Sequence, residues 1–130
     1  MIVLDASAAV ELVLDSSAGR RVADSLGDCS RAHYPELMPV EVVSALRRLV
    51  ARNVVSRDRA RDAVRDLSDL AGHSHRHGLL LDQAFVLSTR FSVYDAMYVA
   101  LADVLDATLL TADARLARQA STLVSVTLVP

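Results

Sequence analysis

Apolar positions change period several times along the chain, and each change marks an element. Residues 2–5 (IVLD) open with the continuous apolar run that a strand buried on both faces requires. Ser7 to Leu14 and Ser17 to Leu26 then read as helices, each led by a serine able to cap it. Residues 30–34 read as a short strand ending at Pro35. From about Glu36 to Asn53 the pattern is helical, with Val42, Val43, Leu46, Leu49 and Val50 on one face. Pro39 fits that helix only in its first turn. Residues 56–71 carry the clearest stripe (Ala60, Ala63, Val64, Leu67, Leu70, Ala71), and Gly72 is expected to stop the helix. A strand near 74–77, helices from Leu79 to about Thr89 and from Tyr94 to Leu105, and a strand over 108–111 follow. A helix from Ala114 to Ala120 and a strand over 125–128 close the pattern. Strands alternating with helices predict an α/β fold on a mainly parallel sheet.

No repeat, low-complexity tract or linker interrupts the 130 residues, so one domain over 1–130 is expected. A 52% hydrophobic and 23% charged composition excludes disorder and disulfide-scaffold classes. The longest uncharged stretch, 119–130, is too short to span a bilayer, and no basic segment precedes Ile2-Val3-Leu4. Neither a membrane span nor a secretory leader is therefore expected. The lone cysteine, Cys29, has no internal partner for a disulfide or a thiolate zinc cage, which points to a reducing cytoplasm. Mean hydropathy of +0.30 is high for so small a domain, so part of the apolar surface is expected to be covered by another chain.

The net charge of −2 makes no global case for nucleic acid, yet all 14 basic residues are arginine. Every mechanism that needs a lysine is excluded. Arg47, Arg48, Arg52, Arg57, Arg59, Arg61 and Arg65 crowd into nineteen residues that contain only Asp58 and Asp62 as acids. This segment reads equally as a phosphate-binding flank or as a solvated helix face with Asp58–Arg61 and Asp62–Arg65 pairs.

Acidic residues fall at the ends of elements. Asp5 ends the first strand, Asp113 follows the strand LLT, Asp95 lies in the first turn of the helix opened by SVYD, and Glu41 stands near the start of PVEVVSALRR. Each has a plain structural explanation. Asp5, Ser7 and Asp113 are good caps, Ser92 and Asp95 fit a capping box, and Glu41 can be a solvated residue beside Arg48. Taken together they read differently, because ligands of a doubly wound sheet collect at the carboxyl ends of its strands. Carboxylates brought within ~4–6 Å repel one another unless a cation sits among them. Oxygen donors without His or Cys indicate Mg²⁺ or Mn²⁺ rather than zinc.

Four segments in order, IVLDASA, PVEVVSALRR, VYDAMYVALA and LLTADARLA, make the chain resemble PIN-domain ribonucleases, specifically the VapC toxins of bacterial toxin–antitoxin pairs. The resemblance runs from residue 2 to the last strand. It implies a three-layer α/β sandwich with a parallel five-stranded sheet ordered 3-2-1-4-5. It implies an acidic metal site at Asp5, Glu41, Asp95 and Asp113, supported by Thr111 and, as a further candidate, Ser7. It also implies Mg²⁺- or Mn²⁺-dependent cleavage of structured RNA such as tRNA or rRNA, homodimers, and a VapB-type antitoxin. Arg115 and Arg48 are candidates for RNA contact.

Other residues weigh less. His73, His75 and His77 alternate in GHSHRHG and could share a strand face as metal ligands, but no fourth ligand lies nearby in sequence, so a solvated polar edge is expected. Tyr94 and Tyr98 share a helix face, where core packing is expected of both. An aspartate-based phosphotransfer domain or phosphatase would need a lysine, which the chain lacks. A non-catalytic RNA-binding or assembly module sharing the fold is the other alternative, and the intact acidic quartet argues against it.

Overall fold

The computed structural model describes residues 1–27 and 32–130. Cys29 and the first two positions of the strand expected at 30–34 lie outside the described residues. The order of elements is β1 (Ile2–Leu4), α1 (Ala6–Val13), α2 (Ser17–Leu26), β2 (Ala32–Pro35), α3 (Met38–Ala51), α4 (Arg57–Ser68) and β3 (His73–His75). A 3-10 turn (His77–Leu79), α5 (Leu81–Leu87), α6 (Val93–Val104), β4 (Thr108–Thr111), α7 (Ala114–Ala120) and β5 (Val126–Leu128) follow. All five strands pair in parallel, in the order β3-β2-β1-β4-β5.

β1 holds the centre, and its side chains explain why. Val3 and Leu4 are fully buried, as are Leu109 and Leu110 on the neighbouring β4. A parallel strand covered by helices on both faces has no polar side, so the apolar run IVL suits only a central position. α6 is buried along most of its length, from Ala96 to Ala102, and packs along β1, β2 and β4. Its alanines let the helix approach the sheet closely. α1 packs on α2, α3 and α4.

Local signals set the boundaries, and three expectations need correction. The helix expected from Glu36 starts at Met38, because the Glu36 N–H donates to the His75 carbonyl (2.9 Å) and continues the β2–β3 ladder. Pro39 lies in the first turn of α3, where no N–H is missed. The helix expected over 79–89 divides into the 3-10 turn and α5. Gly72 does not stop α4, which ends at Ser68 with Asp69 as its C-cap. A side chain at residue 72 would meet the Tyr34 ring at 2.8 Å and the Ala32 carbonyl oxygen at 2.9 Å, so this glycine lets the chain enter β3 close against β2.

Gly19 has a similar role between helices. A Cβ there would stand 2.0 Å from the Glu11 carbonyl oxygen, where α2 crosses α1. Gly→Ala inside a helix normally gains ~0.8–1 kcal/mol, whereas forced overpacking costs ~1–3 kcal/mol. The clash decides the sign: Gly19→Ala should lower unfolding free energy in urea, while Gly78→Ala, which meets nothing within 4 Å, should not.

Candidate active site

β1 and β4 are neighbours in the sheet but far apart in the chain, so their connections leave in opposite directions and open a crevice at their carboxyl ends. Asp5 stands at that point. Its backbone N–H donates to the Leu110 carbonyl (3.0 Å), and its side chain caps α1 by accepting from the Ser7 N–H (3.2 Å). Asp5 is only 5% exposed and Thr111 is fully buried; among the described residues they are the buried polar pair of the protein. The Thr111 hydroxyl donates to Asp5 Oδ2 (2.8 Å), and the Ser7 hydroxyl donates to the same oxygen. Ser7 also lies 3.1 Å from Thr111 and accepts from the Ala112 N–H (2.9 Å). Burial raises the Asp5 pKa above the usual carboxylate range, against the lowering effect of these donors.

Glu41 approaches from α3. It is half-buried, and the Tyr98 hydroxyl of α6 donates to its Oε2 at 2.5 Å. Its pKa is raised first by desolvation and then by the nearby charges of Asp5 and Asp95, with Tyr98 and Arg48 opposing. Tyr98 is itself buried, and burial beside Glu41 pushes its hydroxyl far above the ordinary phenol range, so it stays a donor. The expectation of core packing thus holds for Tyr98 but misses its polar end. It does not hold for Tyr94, which is 63% exposed in a shallow recess with Glu41, Ser44 and Arg48.

Asp95 and Asp113 are joined by a residue expected to touch substrate. Arg115 donates to Asp95 Oδ2 at 2.8 Å and to Asp113 Oδ2 at 3.4 Å. The cation that a carboxylate cluster requires is supplied by the chain itself. The caps hold, though the Ser92–Asp95 box forms only in half: Ser92 accepts from the Asp95 N–H (3.1 Å) while the Asp95 carboxylate turns to Arg115, and Asp113 accepts from the N–H groups of Arg115 (2.8 Å) and Leu116 (3.1 Å). A cap occupies one carboxylate oxygen and leaves another for Arg115. With the guanidinium in place, no three carboxylates among the described residues converge on one point as metal ligands. The donor set is nevertheless of the hard kind, carboxylates and hydroxyls without imidazole or thiolate, and the guanidinium shows that positive charge is accommodated there.

Arg48 faces the recess beside Glu41 and donates to Ser44 (3.1 Å). In the arginine-rich segment, the Asp62–Arg65 pair forms at 3.2 Å; Asp58–Arg61 does not, and Arg59 reaches the Val13 carbonyl (2.8 Å) instead. The residue that sequence reasoning underrated, Tyr98, had one signal available. It lies three positions after Asp95 on the same helix face.

A doubly wound parallel α/β fold with an acid- and hydroxyl-lined crevice at its topological switch point is the class of protein so defined. The PIN domain profile matches residues 2–121. The chain is 35% identical to ribonuclease VapC9 of Mycobacterium tuberculosis over 130 residues, covering 100% of this chain and 99% of the relative. It is 39% identical to ribonuclease VapC12 of the same organism over 118 residues, 91% of each. Ribonuclease VapC3 of Pyrobaculum aerophilum is 30% identical over 128 residues, 95% of this chain and 98% of the relative. A solved structure of FitAB bound to an IR36 DNA fragment shares the fold, with TM-score 0.56 and 17% identity over 98% of this chain and 94% of that one. The chain belongs to the PIN domain family, among its VapC ribonucleases.

The raised Asp5 pKa carries a stability consequence. Folded Asp5 holds its proton to higher pH than unfolded Asp5, so its contribution falls as pH rises above ~4 through the raised folded value. In EDTA at pH 7.5, Asp5→Asn should therefore unfold at a higher urea concentration than wild type. The gap should narrow as pH is lowered toward the unfolded value of ~4; a constant gap would locate its cause elsewhere.

Proposed function

We propose that this chain is the toxin of a VapBC-type pair, a Mg²⁺- or Mn²⁺-dependent endoribonuclease cutting structured RNA such as tRNA or rRNA. One observation carries the reading: four acids from the β1–α1 junction, α3, α6 and the β4–α7 junction surround one crevice, where Arg115 meets Asp95 and Asp113 while Asp5 and Glu41 are met by hydroxyls rather than by a cation. Asp5, Glu41, Asp95 and Asp113 would hold a divalent ion there. Such an ion lowers the pKa of water and offsets charge on the scissile phosphate. Ser7 and Thr111 fix the Asp5 carboxylate in one orientation, and Tyr98 does the same for Glu41. Arg115, half-exposed and held among the described residues by two carboxylates and Gln119, can exchange these partners for a substrate phosphate. In-line attack by water leaves a 5′-phosphate and a 3′-hydroxyl.

Partners follow from apolar surface left uncovered. A groove of about 430 Å³ between α3 and α4 is lined by Val43, Leu46, Val50 and Val64 and rimmed by Arg47 and Arg61. It suits an amphipathic antitoxin segment with acidic flanks. Leu79 and Phe85, 80% and 76% exposed, are the surface for a second copy in a homodimer. Among the described residues, no helix is long and apolar enough to cross a membrane.

Cleavage of a 5′-labelled tRNA pool with Mg²⁺, Mn²⁺ or EDTA tests the activity. Asp5→Asn, Glu41→Gln and Asp95→Asn should each reduce the rate by ~10²–10³, as for the loss of one preorganised electrostatic group. Asp113→Asn should cost less. Cleavage that persists undiminished in EDTA, or in Asp5→Asn, would overturn the reading.

For the partner role, expression of the chain alone should arrest growth, and co-expression of its antitoxin should relieve the arrest. Val50→Asp should weaken that rescue while leaving RNA cleavage in vitro unchanged. Full rescue of the Val50→Asp variant would place the antitoxin elsewhere.

A further inference from the structure

A second group of metal-binding side chains lies on the β2–β3 edge of the sheet. Sequence alone offered His73, His75 and His77 without a further ligand, and strand pairing supplies one from a segment forty residues away. The parallel register sets His33 opposite His73 and Pro35 opposite His75. Alternate residues of a strand share a face, so His73 and His75 meet His33 on one side of the sheet. The rings of His33 and His73 are stacked, with centroids 4.8 Å apart at 25°, and those of His33 and His75 lie 5.2 Å apart at 35°. His33 Nδ1 and His75 Nε2 are separated by 2.9 Å.

We propose that His33, His75 and His73 form a binding site for a borderline transition cation such as Zn²⁺, independent of the acidic crevice. Two imidazole nitrogens on a tetrahedral Zn²⁺, each at 2.0–2.1 Å, stand roughly 3.3 Å apart, so the His33–His75 pair needs to open by only a few tenths of an ångström. His73 is exposed and turns from its stack on His33 to become the third ligand, because as they stand no three donors converge. Water completes the shell. Burial and the neighbouring imidazoles lower the pKa values of His33 and His75, so both rings are neutral at pH 7, each with a lone pair to give. Imidazole donors select Zn²⁺, Ni²⁺ or Cu²⁺ over the Mg²⁺ suited to carboxylates. His77 takes no part; it lies in the 3-10 turn, where its N–H faces Glu36 (3.4 Å). A cation so held clamps β3, a three-residue edge strand, to β2.

The test uses the full untagged chain, stripped with EDTA and returned to buffer with millimolar Mg²⁺ to occupy the acidic crevice. Titration with Co²⁺ should give visible d–d absorption that saturates at one equivalent per chain and is abolished by Zn²⁺. Saturating Zn²⁺ should raise the melting temperature by roughly 5 °C, since it binds the folded state alone. His75→Gln should remove the Co²⁺ bands. His73→Ala, an exposed substitution that leaves the fold intact, should weaken binding at least tenfold, and Asp5→Asn should leave it unchanged. Wild type without the bands would mean that His33 and His75 form a hydrogen-bonded pair only. Bands that survive both histidine substitutions, or vanish in Asp5→Asn, would equally overturn the proposal.

Discussion

The pairing of β1 with β4 is the constraint on which the rest of the molecule depends. It brings Asp5 beside Thr111 across more than one hundred residues of chain, and the Asp5 N–H to Leu110 carbonyl bond extends the ladder to that point. A carboxylate 5% exposed survives burial only where donors meet it. Ser7 and Thr111 provide them, and both depend on the same strand pair for their positions. The strand neighbours Val3, Leu4, Leu109 and Leu110 are fully buried, so the core that drives the pairing also sets the geometry of the crevice.

Charge around this point is balanced by unlike means. Asp5 is braced by neutral hydroxyls and Glu41 by a phenol, and both remain reluctant to ionise, Asp5 because it is buried and Glu41 because it is desolvated and near Asp5 and Asp95. Asp95 and Asp113 are met by a guanidinium. The crevice is thus divided into a dry half built on the sheet and a wetter half where Arg115 stands half-exposed. In the proposed reaction this division has a use. The dry half keeps its ligands oriented, and the wet half holds the one side chain that must change partners.

The elements themselves were legible in the sequence. The strands and helices expected from period, capping serines and proline appear in the expected order among the described residues, except that the helix expected over 79–89 divides into a 3-10 turn and α5; several departures come from contacts between segments. Gly72 reads locally as a helix stop, but the Tyr34 ring beside it belongs to another strand. Asp58 and Arg61 have the spacing of a pair, yet no such pair forms, and their neighbour Arg59 is drawn to the Val13 carbonyl. Tyr94 and Tyr98 share one helical spacing, and only packing separates the exposed ring from the buried one.

The sequence by itself determined the order of elements, the parallel sheet and the four acids at element ends, because hydrophobic period and capping act over a few residues. Tertiary structure alone decided that Tyr98 holds Glu41, that Arg115 stands between Asp95 and Asp113, and that His33 joins His73 and His75. The Tyr98–Glu41 and histidine contacts join elements far apart in the chain, and Arg115 reaches Asp95 from a different helix. The free energy of any one of these contacts is small beside that of the core. The partners are therefore chosen by where burial of Val3, Leu4, Leu109, Leu110 and α6 carries the strands and helices, which no local pattern of residues encodes.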